Sequence, residues 1–285
     1  AQVATKDGRG AVVGLVDPDP EQLRRLQGAY PDALVGDDYA QLLRATKPQI
    51  VVVAGPDHLH ADQTVMALEQ GAHVLLEKPL ATTVADAQRI LAAEAQSGLQ
   101  VMADHTMRYL YPWGEMALAA KTGEIGRIFF IQGDYIHDMS NIYSPQGSHH
   151  TPWRIDQQNP QNILLGGGCH PIDLILWTVD SPVTEVYAYS NKFCVPDFPS
   201  DDCYILMLQF ANGVVGKVFV TSGCSGHQGM GGGMGGGLLA VYGTEGTLWQ
   251  GKLFRRDHDP APLAESSAGN MVGGHGWGRS VVEFL

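Results

Sequence analysis

Along the first hundred residues the apolar positions switch repeatedly between a continuous run and a helical spacing. Residues 11–16 form an apolar run of strand-like composition that stops at Asp17, and Pro18-Asp19-Pro20 reads as a break and then a helix start. Residues 21–29 set Leu23, Leu26 and Ala29 on one helical face. The same alternation continues as a short strand at 33–35, a helix at 39–45 and a continuously apolar strand at 50–54. A helix at 60–70 stops at Gly71, a strand follows at 73–76, a helix at 84–97 stops at Gly98, and a strand covers 99–103. Strand and helix alternating at this spacing predict βαβ units and a doubly wound parallel sheet.

The pattern changes in the second half. Residues 128–135, 185–191, 203–210, 214–221 and 238–242 are strand-like, and several alternate apolar with polar positions, which predicts a mainly antiparallel sheet with one solvated face. Residues 170–179 are the one clear helix there. The expected organisation is an α/β domain over 1–105 followed by an α+β domain over 106–285. The glycine-dense stretch 223–237 lacks the Lys-Ser/Thr of a phosphate-binding P-loop and reads as a flexible loop near a substrate mouth.

Composition narrows the function classes. With 285 residues, 44% hydrophobic and 17% charged, the chain is globular and large enough to bury a core without disulfide or metal staples. Its net charge of -12 gives no electrostatic footprint for nucleic acid or an anionic membrane. No apolar run reaches the roughly 18 residues that span a bilayer. Cys169, Cys194, Cys203 and Cys224 form no CxxC pair, so reduced structural thiols in a cytoplasmic setting are expected. An export signal upstream of Ala1 is left open by the sequence.

In a doubly wound sheet, ligands bind beyond the carboxyl ends of the strands. The residues there are Asp17, then Gly55-Pro56-Asp57, then Glu77-Lys78-Pro79, then Asp104-His105. A carboxylate at the position of Asp17 accepts hydrogen bonds from an adenosine ribose and repels a 2'-phosphate, so a Rossmann-like site for NAD rather than NADP is expected. The glycine-rich phosphate turn that should precede this strand is missing, and Gly8 and Gly10 lie too close to the strand to supply it. A first strand and phosphate loop are therefore expected to lie outside the chain. Lys78 could exchange a proton with a substrate hydroxyl while hydride moves at the nicotinamide.

The stretch from Val51 through Gly55-Pro56-Asp57 to His60, with Gly71-Ala72-His73 running into Glu77-Lys78-Pro79, closely resembles the Gfo/Idh/MocA oxidoreductase family. The resemblance continues through Arg108-Tyr109, Trp153-Arg154, His170-Pro171-Ile172-Asp173 and Val241-Tyr242-Gly243. It implies an NAD(P)-dependent oxidoreductase, built as a Rossmann domain plus a C-terminal α/β domain, acting on CH-OH groups of a sugar, a cyclitol or a related derivative. It implies that Gly55, Pro56, Asp57, His60, Glu77, Lys78 and Arg108 line the cofactor site, with Asp57 and Gly55 departing from the usual Asn and Thr or Ser. Lys78 and His170 would be the catalytic acid/base pair. Lys78, Arg108, Tyr109, Trp153, Arg154 and His170 would meet substrate.

The family often carries an aspartate four residues before the histidine, and here that position is Gly166. Asp173, one turn after His170, could orient the imidazole or pack at a domain interface. The missing aspartate leaves a second enzymatic reading, an NAD-dependent glycosidase working by transient oxidation and elimination. A non-catalytic cofactor-binding protein is the reading from another class. His137, Asp138, His149 and His150 lack tight ligand spacing, so they are expected to touch substrate and no metal is expected. A homo-oligomer, dimer or tetramer, is expected by analogy with the family. The end of the chain, in an apparent helix at 281–285, also looks short against the family.

Overall fold

The computed structural model describes residues 8, 10–159, 161–195, 198–224, 236–265, 280 and 284. It divides into two compact units, Ala1–Asp104 with Val272–Leu285, and His105–Met271. The sequence boundary assigned everything after residue 105 to one domain. The structure instead returns the C-terminal stretch to the first unit, where Ser280 is fully buried and hydrogen-bonds Asp104. Most of the glycine-dense stretch, Lys6, Asp7 and Arg9 around the two early glycines, and all of 281–285 except Phe284 lie outside the described residues.

The first unit holds five parallel strands, β1 (Gly14–Val16), β2 (Leu34–Gly36), β3 (Ile50–Val53), β4 (His73–Leu76) and β5 (Val101–Ala103). The helices between them are α1 (Pro20–Ala29), α2 (Tyr39–Thr46), α3 (His60–Glu69) and α4 (Val84–Ser97). Local chemistry sets their ends. Asp19, Asp38 and Thr83 each accept a main-chain N–H of the following first turn, and Gly98 closes α4 in the left-handed region at φ 69°. The strands pair as β1-β2 and β3-β4-β5. Among the described residues these pairings match the 3-2 and 4-5-6 portions of the doubly wound order 3-2-1-4-5-6. Val51, Val53, Val74, Leu76, Ala67, Leu68 and Ile90 form the core of this unit.

The second unit is built on one eight-stranded mixed sheet. Its strands are β6 (Ile128–Ile136), β7 (Val183–Asn191), β8 (Cys203–Phe210), β9 (Val215–Thr221), β10 (Gly236–Gly243), β11 (Thr247–Trp249), β12 (Lys252–Phe254) and β13 (Ala261–Pro262), in the order β13-β12-β11-β10-β6-β9-β8-β7. Only β6 with β9 is parallel, so the expectation of a mainly antiparallel sheet holds. The expectation of one clear helix does not. Besides α6 (Cys169–Val179) there is α5 (Trp113–Lys121), whose Gly114, Met116, Ala117, Ala119 and Ala120 are all buried. A helix buried nearly all round on small residues carries no amphipathic stripe to read.

Helix α6 packs on the sheet through a close approach. A Cβ on Gly133 of β6 would lie 2.8 Å from Pro171 Cβ and 3.2 Å from Ile175 Cδ1, and Ile175 is fully buried. The absence of a side chain at 133 therefore sets the depth at which α6 seats. Gly133→Val is expected to cost about 1–3 kcal/mol by overpacking, read as a lower urea midpoint at unchanged m-value. A midpoint equal to wild type would show that this contact does not set the packing.

Candidate functional site

The carboxyl ends of β1, β3, β4 and β5 bring the sequence-predicted residues of the first unit onto strand ends. Asp17 directly follows β1, and its Oδ1 accepts the N–H of Asp19 at 2.8 Å. Asp57 opens a 3-10 turn (Asp57–Leu59) directly after β3 and is 8% exposed. Gly55 and Pro56 form the connection before it and are half-buried. Glu77 follows β4, and its carboxylate accepts the N–H of Lys78 at 3.1 Å. The Lys78-Pro79 peptide is cis, and Lys78 is half-buried.

His60, expected to line the cofactor site, is 1% exposed, and its ring lies between two main-chain carbonyls, with Nδ1 at 2.8 Å from Pro79 O and Nε2 at 3.0 Å from Gly55 O. The imidazole thus links the turn after β3 to the turn after β4.

Asp104, at the end of β5, is 6% exposed. Burial pushes its pKa up to about 6, the Ser280 hydrogen bond opposes this, and the Glu77 carboxylate adds to it. Its Oδ1 is buried with no hydrogen-bond partner among the described residues. The sequence marked Asp104 only as a strand-end residue. Nothing in its sequence neighbours signals its pairing with Ser280, far along the chain.

In the second unit the 3-10 turn Thr106–Tyr109 carries Arg108 and Tyr109, with His105 just before it. Arg108 grips Asp173 with both arms, Nε to Oδ2 at 2.7 Å and Nη2 to Oδ1 at 2.5 Å, and lies 5.3 Å from the Trp177 ring centroid. Asp173 Oδ1 is also 3.7 Å from His105 Nε2. The sequence left Asp173 between orienting His170 and packing. The structure gives its carboxylate to Arg108, which keeps the guanidinium charge largely neutralised.

His170 lies in the first turn of α6, 8% exposed, with its ring stacked on Tyr135 at 6.1 Å. Burial pushes the Tyr135 phenol up to about 12, Cys169 raises it further, and Arg154 pulls it back. Trp153 and Arg154 share a 3-10 turn (Pro152–Ile155), and the guanidinium sits 4.5 Å over its neighbour's ring. Arg154 Nη1 donates to Gln161 Oε1 at 2.7 Å. A Cβ on Gly166 would lie 2.6 Å from Gln161 Nε2, so the Gln161 amide fills the space of the family's aspartate. Of the residues gathered here, Gln161 and Tyr135 carried no signal in the sequence, Cys169 read as a structural thiol, and His105 was named only as a strand-end residue.

The other polar loop residues satisfy each other locally. His137 Nδ1 contacts Met139 Sδ, Asp138 Oδ1 accepts Ser140 N and Oγ, and Asn141 Nδ2 meets His149 Nδ1 at 2.8 Å. No disulfide joins the four cysteines, and among the described residues no helix is long and apolar enough to cross a membrane.

Asp104 gives this site a pH signature. An acid whose folded pKa is raised contributes stability that is complete below its unfolded pKa near 4 and is lost as pH rises through about 6. Asp104→Asn removes that loss. The variant is expected to match wild type near pH 4 and to exceed it by roughly 1–3 kcal/mol above pH 6, measured by urea unfolding across that range. A stability difference that does not change with pH would refute the assignment.

Residues 1–105 match the family model described as "Oxidoreductase family, NAD-binding Rossmann fold", and residues 115–249 match the "GFO/IDH/MocA C-terminal domain". Among curated proteins, the chain is 28% identical over 218 residues to 1-carboxy-3-chloro-3,4-dihydroxycyclohexa-1,5-diene dehydrogenase of Comamonas testosteroni, covering 74% of this chain and 52% of that protein. It is 26% identical over 238 residues to levoglucosan dehydrogenase of Pseudarthrobacter phenanthrenivorans, covering 74% of this chain and 57% of that one. The chain thus spans about half the length of the curated relatives it matches. Among solved structures, an oxidoreductase domain protein from Kribbella flavida superposes with TM-score 0.81 at 24% identity, covering 96% of this chain and 80% of that one. The WlbA dehydrogenase of Bordetella pertussis, solved with NADH and UDP-GlcNAcA, superposes with TM-score 0.77 at 21% identity, covering 99% of this chain and 78% of that one. Two adjoining family models, matched in order over most of the sequence, place the chain in the Gfo/Idh/MocA oxidoreductase family, with the NAD-binding Rossmann fold in its first 105 residues.

Proposed function

We propose that the protein is an NAD-dependent dehydrogenase acting on a CH-OH carbon of a sugar, cyclitol or related polyol. The observation that carries this reading is the row of polar groups at the carboxyl ends of the parallel strands, Asp17, Asp57, Glu77-Lys78 and Asp104, with a buried carboxylate oxygen on Asp104 that has no hydrogen-bond partner among the described residues. That row is the donor and acceptor set a dinucleotide needs at its ribose and nicotinamide ends. Asp17 takes the adenosine ribose hydroxyls on its open carboxylate oxygen, and its charge disfavours a 2'-phosphate. NAD, when bound, supplies the hydride acceptor.

The protein's own part is proton management and orientation. Lys78 takes the hydroxyl proton as the alcohol becomes a carbonyl and returns it in the reverse direction. His170 is the second acid/base group. Arg108 and Asp173 hold each other in one geometry, and Trp153 and Arg154 offer a ring and a guanidinium suited to a polyol with an acidic or acylated substituent. The named relatives are dehydrogenases of a dihydroxycyclohexadiene and of levoglucosan, and this supports a polyol as substrate.

The test is NADH production by the protein over a panel of sugars, cyclitols and sugar acids. Lys78→Ala is expected to lower kcat/KM by at least about a hundredfold while NAD binding, measured by fluorescence, stays intact. Full turnover in the variant would sink the assigned role of Lys78. Glycoside cleavage without net NADH would replace the dehydrogenase reading by transient oxidation and elimination.

We also propose a homo-oligomer joined through the open face of the eight-stranded sheet. Tyr187 and Tyr189 on β7 pair in register with Met207 and Ile205 on β8, and all four point away from the core, at 57%, 66%, 39% and 39% exposure. Apolar side chains in one contiguous exposed group mark an association surface. Tyr187→Ser with Tyr189→Ser and Met207→Lys is expected to shift the sedimenting species to monomer. A wild-type monomer at assay concentration would overturn this assembly.

A further inference from the structure

We propose, resting on the dehydrogenase reading above, that the polyol substrate carries a carboxylate and that Arg154 is the residue that receives it. The choice between an acidic and an acylated substituent then falls to the acid, because a neutral glutamine-glycine pair beside Arg154 leaves its charge uncompensated. All the residues concerned belong to the second unit.

One guanidinium has donors left over. Arg154 Nη1 donates to Gln161 Oε1 at 2.7 Å, and the group lies 4.5 Å over the Trp153 ring. Lying over a ring engages the face of a guanidinium, whereas its hydrogen bonds run in its plane. In that plane Nε is buried without a hydrogen-bond partner, and no ion pair joins Arg154 to a described residue. A buried donor in this state is costly, the more so on a charged group. Arg108 shows what completes such an edge, since the Asp173 carboxylate takes both its Nε and its Nη2. Arg154 has the same Nε–Nη2 edge with no carboxylate on it. A ligand carboxylate is the planar, two-oxygen acceptor that matches. Arg154 and Trp153 are half-buried, so rotation about the last side-chain bonds brings this edge to a ligand.

The surroundings keep that charge in place. The acid common in the family at position 166 is glycine here, and the Gln161 amide lies where its side chain would begin, so a neutral acceptor stands in for an anion. Gln161 is itself held: its N–H donates to Arg154 O at 3.2 Å, its own carbonyl accepts Ser200 Oγ at 3.3 Å, and it is 3% exposed. Asp156, the nearest acid in sequence, turns its carboxylate to Gln158 N at 3.1 Å and Asn159 Nδ2 at 3.4 Å. Asp173 is matched by Arg108. Two guanidinium groups against the Asp173 carboxylate leave one positive charge, that of Arg154. It acts on the Tyr135 phenol, and the Tyr135 ring stacks on His170 at 6.1 Å. The carboxylate site and the proposed acid/base histidine therefore flank one aromatic ring, which suits a single small molecule bearing both an acid and a reacting hydroxyl.

The test is equilibrium binding by calorimetry, with and without NAD, of matched acid and neutral pairs: glucuronate with glucose, galacturonate with galactose, and gluconate with glucitol. In at least one pair the acid is expected to bind about tenfold or more tightly than its neutral partner. Gln161→Glu, which gives Arg154 an internal carboxylate, is expected to bring that ratio to about one, and Arg154→Gln to do the same. A purely structural loss would weaken both members of a pair and leave the ratio standing. An acid preference in no pair of the wild-type protein would overturn the proposal whether or not either variant folds, and so would a ratio that neither substitution moves. Glucose 6-phosphate binding more tightly than all three acids would assign the charge to phosphate and overturn the carboxylate. The dehydrogenase reading fails separately: acid binding with no NADH formed from any substrate sinks that reading alone, whereas NADH formed from neutral polyols with no preference for acids sinks this one alone.

Discussion

The first unit depends on one imidazole held between two main-chain oxygens. The βα turns after β3 and β4 are short, and their carbonyls face the protein interior, where an unpaired acceptor costs about 1–3 kcal/mol. His60 brings one ring nitrogen to each, at Pro79 and at Gly55, and a neutral ring donates to one of the two according to its tautomer. Since it rides on the first turn of α3, helix, strand ends and the Glu77-Lys78-Pro79 turn are fixed as one piece. The turns that carry Asp57 and Lys78 are thus linked through a residue that is itself almost fully buried.

The second unit solves the corresponding problem with charge. A guanidinium next to two histidines would raise the cost of placing any cation or imidazolium there. The bidentate pair of Arg108 with Asp173 cancels that charge locally and leaves the arginine planar against Trp177. Helix α6 is brought close enough to take part by Gly133 below it. Packing and electrostatics are thus set by the same helix, which carries Cys169, His170 and Asp173 along two of its turns.

Much of this was legible in the sequence, and the reason is periodicity. Every βα element of the first half announces its period and its cap, because short strands and amphipathic helices bury one face each. The features that escaped share a different origin. Helix α5 is buried on almost every side by alanine and glycine, so it shows no stripe. Asp104 meets Ser280 only through the fold, and no local pattern links the two. Cys169 and His105 likewise meet only through the fold, and the contact of His60 with two main-chain carbonyls has no signature in the residues around it. Residue type and position could nominate these side chains but could not say which way they point.

The relation between Gly166 and Gln161 has a consequence for how this chain could change over generations. A side chain at 166 would meet the Gln161 amide, the far end of a flexible side chain, and turning that amide aside withdraws the acceptor that now holds Arg154 Nη1. Substitutions at 161 and 166 are therefore coupled through Arg154, and their effects do not simply add.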